Sequence, residues 1–359
     1  MVVLHFAAIE NNPFNGVCVA APQHVISQKE FATVGFINIK NIEIDALKDY
    51  PGTQMKFVKP FDIKAIPDPF NKPDIVVFHE CYRMDYLQIA KNLRENGIPY
   101  VEMPHGELGE DAQKKKHLKK VVANILLFNR FTKGAEAIQC LSKKEMEGTH
   151  FGCKKILVTN GVKIPEKKKE EFNKDKIKFI YIGRLDAFHK GLDMMIEAIK
   201  SIKNEMIANN ATLDIYGPDV NGRFENVKSM IDDANVGDFV KLHHEVTGEY
   251  KEQLLLDTDI FIQTSRFEGM PLGVLEALSY GIPCLITEGT NLADVIENNK
   301  AGWNAGDNPQ SIARAIQKTL DDREEYYQYG ENGREYIRRV FSWEIIAKQA
   351  INAYRDLLR

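Results

Sequence analysis

The chain has 359 residues, a length that suits two domains better than one hydrophobic core. Its apolar content of 44%, charged content of 27% and net charge of -4 are those of an ordinary globular protein and give no sign of nucleic-acid binding. No apolar run approaches the length of about 18 residues that a membrane span needs, and the N-terminus lacks the basic flank of a signal peptide. The five cysteines form no C-x-x-C pair and no zinc-like spacing with histidine. We therefore expect a cytoplasmic protein with reduced thiols.

The first half of the chain alternates between buried strands and helices. Apolar runs at 2–8, 34–39, 75–78 and 100–103 predict parallel strands with helical patterns between them, which indicates an α/β domain. The last of these runs leads into Pro104-His105-Gly106, at the carboxyl end of a strand, where open α/β sheets bind their ligands. A histidine at that point is a candidate for the site, although a lone histidine is usually structural.

A charged segment without apolar periodicity, residues 163–176, predicts a linker or a solvated loop and marks a domain boundary. A buried strand at 177–182 then runs into the loop GRLDAFHKG, and a helix follows that loop. Arg184 and Lys190 flank this loop. Two cations together with the amides of a helix N-terminus suit a diphosphate, although GR-x5-KG taken alone could be surface charge.

The richest stretch, 259–287, reads as strand, loop, helix and strand. Its helix begins near Leu272, and unpaired amides at 272–274 would offer an anion site. Glu268 precedes this helix and Glu276 lies within it. Carboxylates beside an anion need hydrogen-bond donors of their own, such as sugar or ribose hydroxyls. The combination predicts a nucleotide-sugar site, although two glutamates at this separation are common in isolation.

The segment EGMPLGVLEALSYGIP resembles the E-x7-E signature of group 4 (GT4) retaining glycosyltransferases of the GT-B fold. GR-x5-KG stands upstream in the family's order, PHG is similar to the family segment that carries an active-site histidine, and TNGV resembles the segment at the domain junction. The resemblance implies an α/β protein with two Rossmann-like domains that face a central cleft. The implied parts are an acceptor-binding domain (1–162), the linker (163–176), a nucleotide-sugar-binding domain (177–340) and a helix that crosses back to the first domain (341–359).

The resemblance also implies the reaction. A hexose-type sugar would move, with retention, from a nucleoside diphosphate sugar to a hydroxyl of a glycan or lipid-linked glycan, in surface polysaccharide biosynthesis. The nucleotide is expected to be UDP rather than GDP, but the base stays open, because the family's usual glycine is absent from residues 243–246.

The resemblance gives each site residue a role. Arg184 and Lys190 would neutralise the diphosphate, and Glu276 would hold the ribose. Glu268 would orient the sugar, and His105 would hydrogen-bond the donor sugar or orient the acceptor. Glu268, His105, Arg184 and Lys190 form the expected catalytic set. The residues expected to line the nucleotide-sugar site are Gly16, Gly183, Arg184, Lys190, Gly217, His244, Glu245, Val246, Glu268, Gly269, Met270, Pro271, Leu272, Gly273, Val274 and Glu276.

Neither a metal nor another cofactor is expected. Asp257-Thr258-Asp259 spells the D-x-D tripeptide with which a different glycosyltransferase fold binds metal and diphosphate. Asp259, however, stands at the amino end of a strand, whereas the diphosphate residues follow carboxyl ends, so a cap at the start of the strand is the favoured role. His243 and His244 are adjacent on an extended chain and point to opposite faces, which disfavours a shared ion.

Five lysines precede an apolar helix face, namely Lys114, Lys115, Lys116, Lys119 and Lys120. This basic helix could be a solvated surface, or it could dock the protein on the inner, anionic face of the membrane. Both interpretations stay open at this point.

Three other functions are alternatives to sugar transfer. A nucleotide-sugar 2-epimerase or hydrolase shares the two-domain architecture, and a non-catalytic module could bind a sugar nucleotide without turnover. A nicotinamide-dependent oxidoreductase is disfavoured, because the loops NNPFNG and GRLDAFHKG lack its G-x-G-x-x-G fingerprint.

Overall fold

The structure is a computed structural model that describes residues 1–13, 15–108, 127–173, 175–268 and 270–359. These residues form two compact units, Met1–Gly161 together with Trp343–Arg359, and Val162–Ser342. Each unit is built on one parallel sheet with helices, so the predicted α/β class is confirmed. Within the described ranges, no helix combines the length and apolarity needed to cross a membrane.

In the described part of the first unit, seven parallel strands form a sheet in the order β3-β2-β1-β4-β5-β6-β7. The strands are β1 (Val2–Ala7), β2 (Thr33–Asn38), β3 (Gln54–Lys56), β4 (Ile75–His79), β5 (Tyr100–Met103), β6 (Ala137–Cys140) and β7 (Lys155–Leu157). The helices are α1 (Gly16–Gln28), α2 (Met84–Glu95), α3 (Asn129–Lys133), α4 (Lys143–Gly148) and the C-terminal helix (Trp343–Leu357). The central strands are buried along almost their whole length, as their continuous apolar runs require.

The C-terminal helix packs on the first unit. Ile346 and Ile351 share a core with Val25 of α1. At the start of this helix, a Cβ on Gly161 would lie only 2.6 Å from the Trp343 ring, so glycine is required where the chain passes the tryptophan. The end of the chain is therefore part of the first unit.

Six parallel strands in the described part of the second unit form a sheet in the order β10-β9-β8-β11-β12-β13. The strands are β8 (Ile177–Ile182), β9 (Ala211–Tyr216), β10 (Val240–His243), β11 (Ile260–Gln263), β12 (Cys284–Ile286) and β13 (Gly302–Asn304). The helices are α5 (Leu192–Ser201), α6 (Lys203–Ala208), α7 (Arg223–Ala234), α8 (Gly248–Asp257), α9 (Leu272–Ser279), α10 (Ala293–Asn298), α11 (Pro309–Asp321) and α12 (Tyr326–Phe341).

The strand order of each sheet reverses at one point. In the second unit the chain proceeds from β8 to one side and from β11 to the other, and in the first unit β1 and β4 are the corresponding pair. Open parallel sheets bind ligands at the carboxyl ends of the strands beside such a switch point. The loops GRLDAFHKG and SRFEGMP follow β8 and β11, so the fold places both motifs at the switch point of the second unit.

Residues 163–176, where a linker is expected, belong to the second unit. The Lys169 backbone N–H donates to the Tyr280 carbonyl at 2.7 Å, and Lys169 Nζ lies 3.3 Å from Asp259 in a pair whose side chains are 7% and 1% exposed. Asp259 also accepts a hydrogen bond from the Lys178 backbone N–H at 2.9 Å, and Asp257 pairs with the Lys178 side chain. Both aspartates of the D-x-D tripeptide thus pair with lysines at the amino end of β11.

Glu102 of β5 is a carboxyl group buried in the apolar face of the first sheet. Neither of its oxygens makes a full hydrogen bond with a described residue, although Thr132 and Cys81 lie close by. Burial raises the pKa of Glu102 from 4.5 to about 8, so the folded protein holds this group neutral.

We expect Glu102→Gln to change the dependence of stability on pH. The unfolded chain ionises Glu102 near pH 4.5 and the folded protein near pH 8, so the stability present below pH 4.5 is lost as pH rises towards 8. A glutamine cannot ionise and escapes this loss. Because each pKa unit is worth about 1.4 kcal/mol, the variant should gain about 4 kcal/mol of stability on wild type between pH 4.5 and pH 8. Denaturant midpoints at both pH values test this, and a difference that does not vary with pH would contradict it.

Candidate functional site

The loops after β8 and β11 lie side by side in the second unit. Gly191 has φ +62°, and a Cβ there would lie 1.9 Å from the Thr264 carbonyl oxygen. The Thr264 hydroxyl donates to the Gly191 carbonyl at 2.9 Å, and the Arg266 backbone N–H donates to the His189 carbonyl at 3.1 Å. A left-handed glycine is therefore what allows the two loops to touch.

Lys190 and Glu268 meet where these loops touch. Lys190 Nζ donates to Glu268 Oε1, and the two side chains are only 12% and 10% exposed. The same oxygen accepts hydrogen bonds from Gln263 Nε2 at 3.0 Å and from Ser265 Oγ at 2.9 Å. Every hydrogen bond that the described residues make to this carboxylate reaches Oε1, and Oε2 accepts none from them. The structure thus pairs two of the predicted catalytic residues.

Arg184 lies two residues after the end of β8, and its side chain is exposed. Within the described part of the chain its guanidinium makes no hydrogen bond, so it is available to an anion. The neighbouring glycines have a packing reason, because a Cβ on Gly217 would lie 2.2 Å from the Gly183 carbonyl oxygen. They keep the ends of β8 and β9 in contact.

The N-terminus of α9 differs from the prediction of three unpaired amides. Leu272 N–H donates to the Met270 carbonyl at 3.1 Å and Val274 N–H donates to the Pro271 carbonyl at 3.0 Å. These tight turns satisfy amides that an ideal helix start would leave unpaired. Among the described residues only the Gly273 amide of the three has no carbonyl partner. Gly269 lies outside the described residues, so its predicted role stays a prediction.

Glu276, the predicted ribose ligand, lies within α9. Its Oε2 accepts a hydrogen bond from Lys251 Nζ of α8 at 2.5 Å, and the two side chains are about a third exposed or less. The carboxylate is therefore held in place but remains reachable.

Two histidines at the carboxyl end of β10 make aromatic pairs. His243 stacks on Tyr216 with ring centroids 4.4 Å apart and bonds Asp214 at 2.7 Å, whereas His244 stacks on Phe224 at 4.5 Å. The two histidines thus have separate partners. Glu245 is exposed, but the side chains of Val246 and Val274 are buried in the core, so they can reach a ligand only through their backbone. Across the described residues no group of three or more His, Cys, Asp or Glu could hold a metal ion.

His105 follows β5 in the first unit and is not a lone histidine. It has φ +50°, and its loop is tied down by Glu145, which accepts hydrogen bonds from the backbone N–H groups of Gly106 and Leu141, both at 2.6 Å. Its Nε2 lies 2.9 Å from Nδ1 of His79, the last residue of β4, and the two rings stack at 5.2 Å. Burial lowers the pKa of His105 to about 3, so the ring is neutral.

Gly16 is the first residue of α1. Asn15 caps this helix by accepting hydrogen bonds from the Val17 and Cys18 backbone N–H groups, and a Cβ on Gly16 would meet nothing within 4 Å. The structure gives no packing reason for glycine here, and a ligand role for Gly16 stays a prediction. The predicted basic helix, Lys114 to Lys120, lies outside the described residues, so its membrane role also stays a prediction.

Sequence reasoning missed three contributors to these sites. Lys251 holds Glu276, His79 contacts His105, and Arg266 binds Asp193 through two hydrogen bonds of 2.7 and 2.8 Å while lying over the Phe188 ring. Arg266 stands inside the SRFEGMP loop, and His79 ends an apolar strand. The signal in the sequence that could have identified these two residues is a polar side chain within a candidate loop or at the end of an apolar strand.

Comparison with known proteins identifies a family that matches the second unit. The model of the family "Glycosyl transferases group 1" matches residues 162–336. The amylovoran biosynthesis glycosyltransferase AmsK of Erwinia amylovora is 30% identical over 181 residues, 47% of this chain and 42% of AmsK. An uncharacterized glycosyltransferase of Methanocaldococcus jannaschii is 26% identical over 183 residues, 50% of this chain and 45% of that protein. These matches span less than half the length of each relative.

The similarity in structure covers more of the chain. HepE of Anabaena, crystallised with UDP and glucose, superposes with a TM-score of 0.75 over 99% of this chain and 100% of HepE, at 14% sequence identity. At that identity the likeness establishes the fold, and it confirms the predicted pair of Rossmann-like α/β domains.

Proposed function

Residues 162–336 belong to the group 1 glycosyl transferases and the chain has the GT-B fold, and on this premise we propose that the protein transfers a sugar from a nucleoside diphosphate sugar to a hydroxyl group. The pairing of Lys190 with Glu268 at the switch point of the second unit carries the proposal. It puts a cation for the diphosphate beside a carboxylate for a sugar hydroxyl.

The proposed donor is a UDP-hexose, since HepE was crystallised with UDP and glucose. Arg184 and Lys190 bind its diphosphate, Glu268 accepts a hydrogen bond from a sugar hydroxyl through Oε2, and Glu276 accepts one from the ribose. Because negative charge grows on the diphosphate as the bond to the sugar breaks, the two cations stabilise the transition state more than the bound donor. Within the first unit, His105 is proposed to hydrogen-bond a substrate hydroxyl. AmsK, named for amylovoran biosynthesis, suggests a glycan acceptor.

Transfer is proposed to proceed with retention and without a divalent metal. Retention rests on the E-x7-E resemblance, since no described residue is placed as a nucleophile. Independence from metal rests on charge, because Arg184 and Lys190 together offset the diphosphate.

A donor panel in excess chelator tests the proposal. UDP-glucose, UDP-N-acetylglucosamine and GDP-mannose are each scored for thermal stabilisation and for nucleotide release, with and without glycan acceptors. We expect a UDP-sugar to stabilise the protein most and to release UDP only when an acceptor is present. NMR of the product should show the anomeric configuration of the donor.

Each alternative predicts a different result. Release without any acceptor would indicate a hydrolase or epimerase, and stabilisation without turnover would indicate a binding module. An inverted product would contradict retention, and activity lost in chelator but restored by magnesium or manganese would contradict the metal-free site.

A further inference from the structure

A chain of hydrogen-bonded side chains crosses the interior of the first unit and ends at His105. His5 Nδ1 lies 3.0 Å from His79 Nε2, and His79 Nδ1 lies 2.9 Å from His105 Nε2. At the inner end, His5 Nε2 lies 3.0 Å from Gln28 Oε1. His5, His79 and Gln28 are fully buried, whereas His105 is partly exposed. The chain therefore runs from the core to the surface.

All three rings of this chain are neutral at physiological pH. Burial lowers the pKa of His5 and of His105 to about 3, and it lowers the pKa of His79 well below its ordinary value. A neutral imidazole has one N–H donor and one acceptor nitrogen. Each ring in the chain must therefore donate on one side and accept on the other, so the direction of one hydrogen bond sets the direction of the next.

A backbone carbonyl fixes that direction from the inner end. Gln139 Nε2 donates to the Val158 carbonyl at 3.2 Å, since a carbonyl can only accept, and so Gln139 Oε1 accepts from the Tyr354 hydroxyl at 2.7 Å. Because the Tyr354 hydroxyl donates its proton to Gln139, its oxygen can only accept a hydrogen bond from Gln28. The Gln28 side chain interacts with Tyr354, although Gln28 Nε2 makes no full hydrogen bond with a described residue, and the Gln28 oxygen faces His5 at 3.0 Å.

The donor and the acceptor of each further hydrogen bond then follow in turn, from His5 outward to His105. His5 donates from Nε2 to Gln28, so its Nδ1 accepts from His79 Nε2–H. His79 Nδ1 in turn accepts from His105 Nε2–H. The remaining nitrogen, His105 Nδ1, keeps a lone pair and makes no hydrogen bond to any residue that the structure describes. The outer end of the chain is an acceptor.

We propose that this chain, from the Val158 carbonyl through Gln139, Tyr354, Gln28, His5 and His79, holds His105 in the Nε2–H tautomer and presents Nδ1 as a hydrogen-bond acceptor for a substrate hydroxyl. His79, His5, Gln28 and Tyr354 are positioning residues that act through His105. The site selects a ligand group that donates a proton and disfavours a carbonyl or phosphate oxygen at the same place. That the donor is a sugar hydroxyl rests on the proposed function, whereas the tautomer does not.

NMR of the full-length protein labelled with 15N-histidine tests the tautomer, because protonated and unprotonated ring nitrogens have separate resonances. We expect wild-type His105 to carry its proton on Nε2 alone. Gln28→Leu removes the acceptor that orders the chain, and Tyr354→Phe removes the group that orients Gln28, so both variants should populate both His105 tautomers. Tyr326→Phe is the matched control, since Tyr326 is also buried and donates to a backbone carbonyl, that of Thr319 at 2.7 Å, but lies in the second unit.

A wild-type His105 protonated on Nδ1 would overturn the proposal, as would an unchanged tautomer in both variants. Tyr354→Phe removes a single oxygen and keeps the test usable if Gln28→Leu does not fold. The transfer assay distinguishes failure of the proposed function from failure of the tautomer inference. A single His105 tautomer that both variants disturb supports the inference even if no nucleotide sugar is turned over, whereas transfer activity with an undisturbed tautomer overturns the inference alone.

Discussion

Lys190→Ala should lower kcat/KM for sugar transfer by about 30- to 1,000-fold, which corresponds to about 2–4 kcal/mol of transition-state stabilisation. The ammonium group stands beside Glu268 at the switch point, where the diphosphate charge would develop. The fold should survive, because Glu268 keeps its hydrogen bonds from Gln263 and Ser265. Steady-state kinetics in chelator, together with the melting temperature, measure both effects.

Lys167→Ala is the matched control for this experiment. Lys167 also pairs with a glutamate of the second unit, Glu252, at 2.5 Å, but its side chain is 70% exposed and its partner lies on α8 and not in the β8 or β11 loop. This variant should transfer sugar at the wild-type rate. A folded Lys190→Ala protein with the same rate as Lys167→Ala would remove Lys190 from the site.

Gly191→Ala should destabilise the protein by about 3 kcal/mol or more, because it combines backbone strain with a steric clash. Gly191 has φ +62°, and its new Cβ would lie 1.9 Å from the Thr264 carbonyl oxygen, a backbone atom that cannot move without shifting the β11 loop. Unfolding by denaturant, with and without UDP, measures the loss. The variant should also bind UDP less tightly, since both loops of the proposed site would move.

Gly222→Ala separates strain from clash. Gly222 also precedes a helix of the second unit with a left-handed backbone, φ +71°, but a Cβ there would meet nothing within 4 Å. This control should cost about 1 kcal/mol from backbone strain alone. Equal losses in the two variants would show that the close approach of the β8 and β11 loops does not limit stability.

The sequence predicted the strand and loop positions of the site well, because buried parallel strands are continuous apolar runs and loops with charged residues interrupt them. It also placed Lys190 and Glu268 after two separate strands. Their pairing could not be read from the sequence, because the two residues are 78 positions apart and meet only through the order of β8 and β11 in the sheet.

Other features depend on packing that has no local pattern. His5 and His79 each look like a single polar residue in an apolar strand, and only the parallel register of β1 with β4 brings them together. Residues 163–176 have the composition of a linker, yet one buried pair, Lys169 with Asp259, anchors them to the second unit. The amides at the start of α9 were expected to be unpaired, and local turns satisfy two of them.

The most direct test of the proposed site is a calorimetric titration in chelator. The affinities of UDP and GDP for wild type are measured first. The nucleotide that binds more tightly and its nucleoside are then titrated into wild type and into Lys190→Ala. The diphosphate should bind wild type at least about tenfold more tightly than the nucleoside. Lys190→Ala should lose most of this difference while its affinity for the nucleoside stays unchanged. Equal diphosphate affinity in the two proteins would contradict the proposed site.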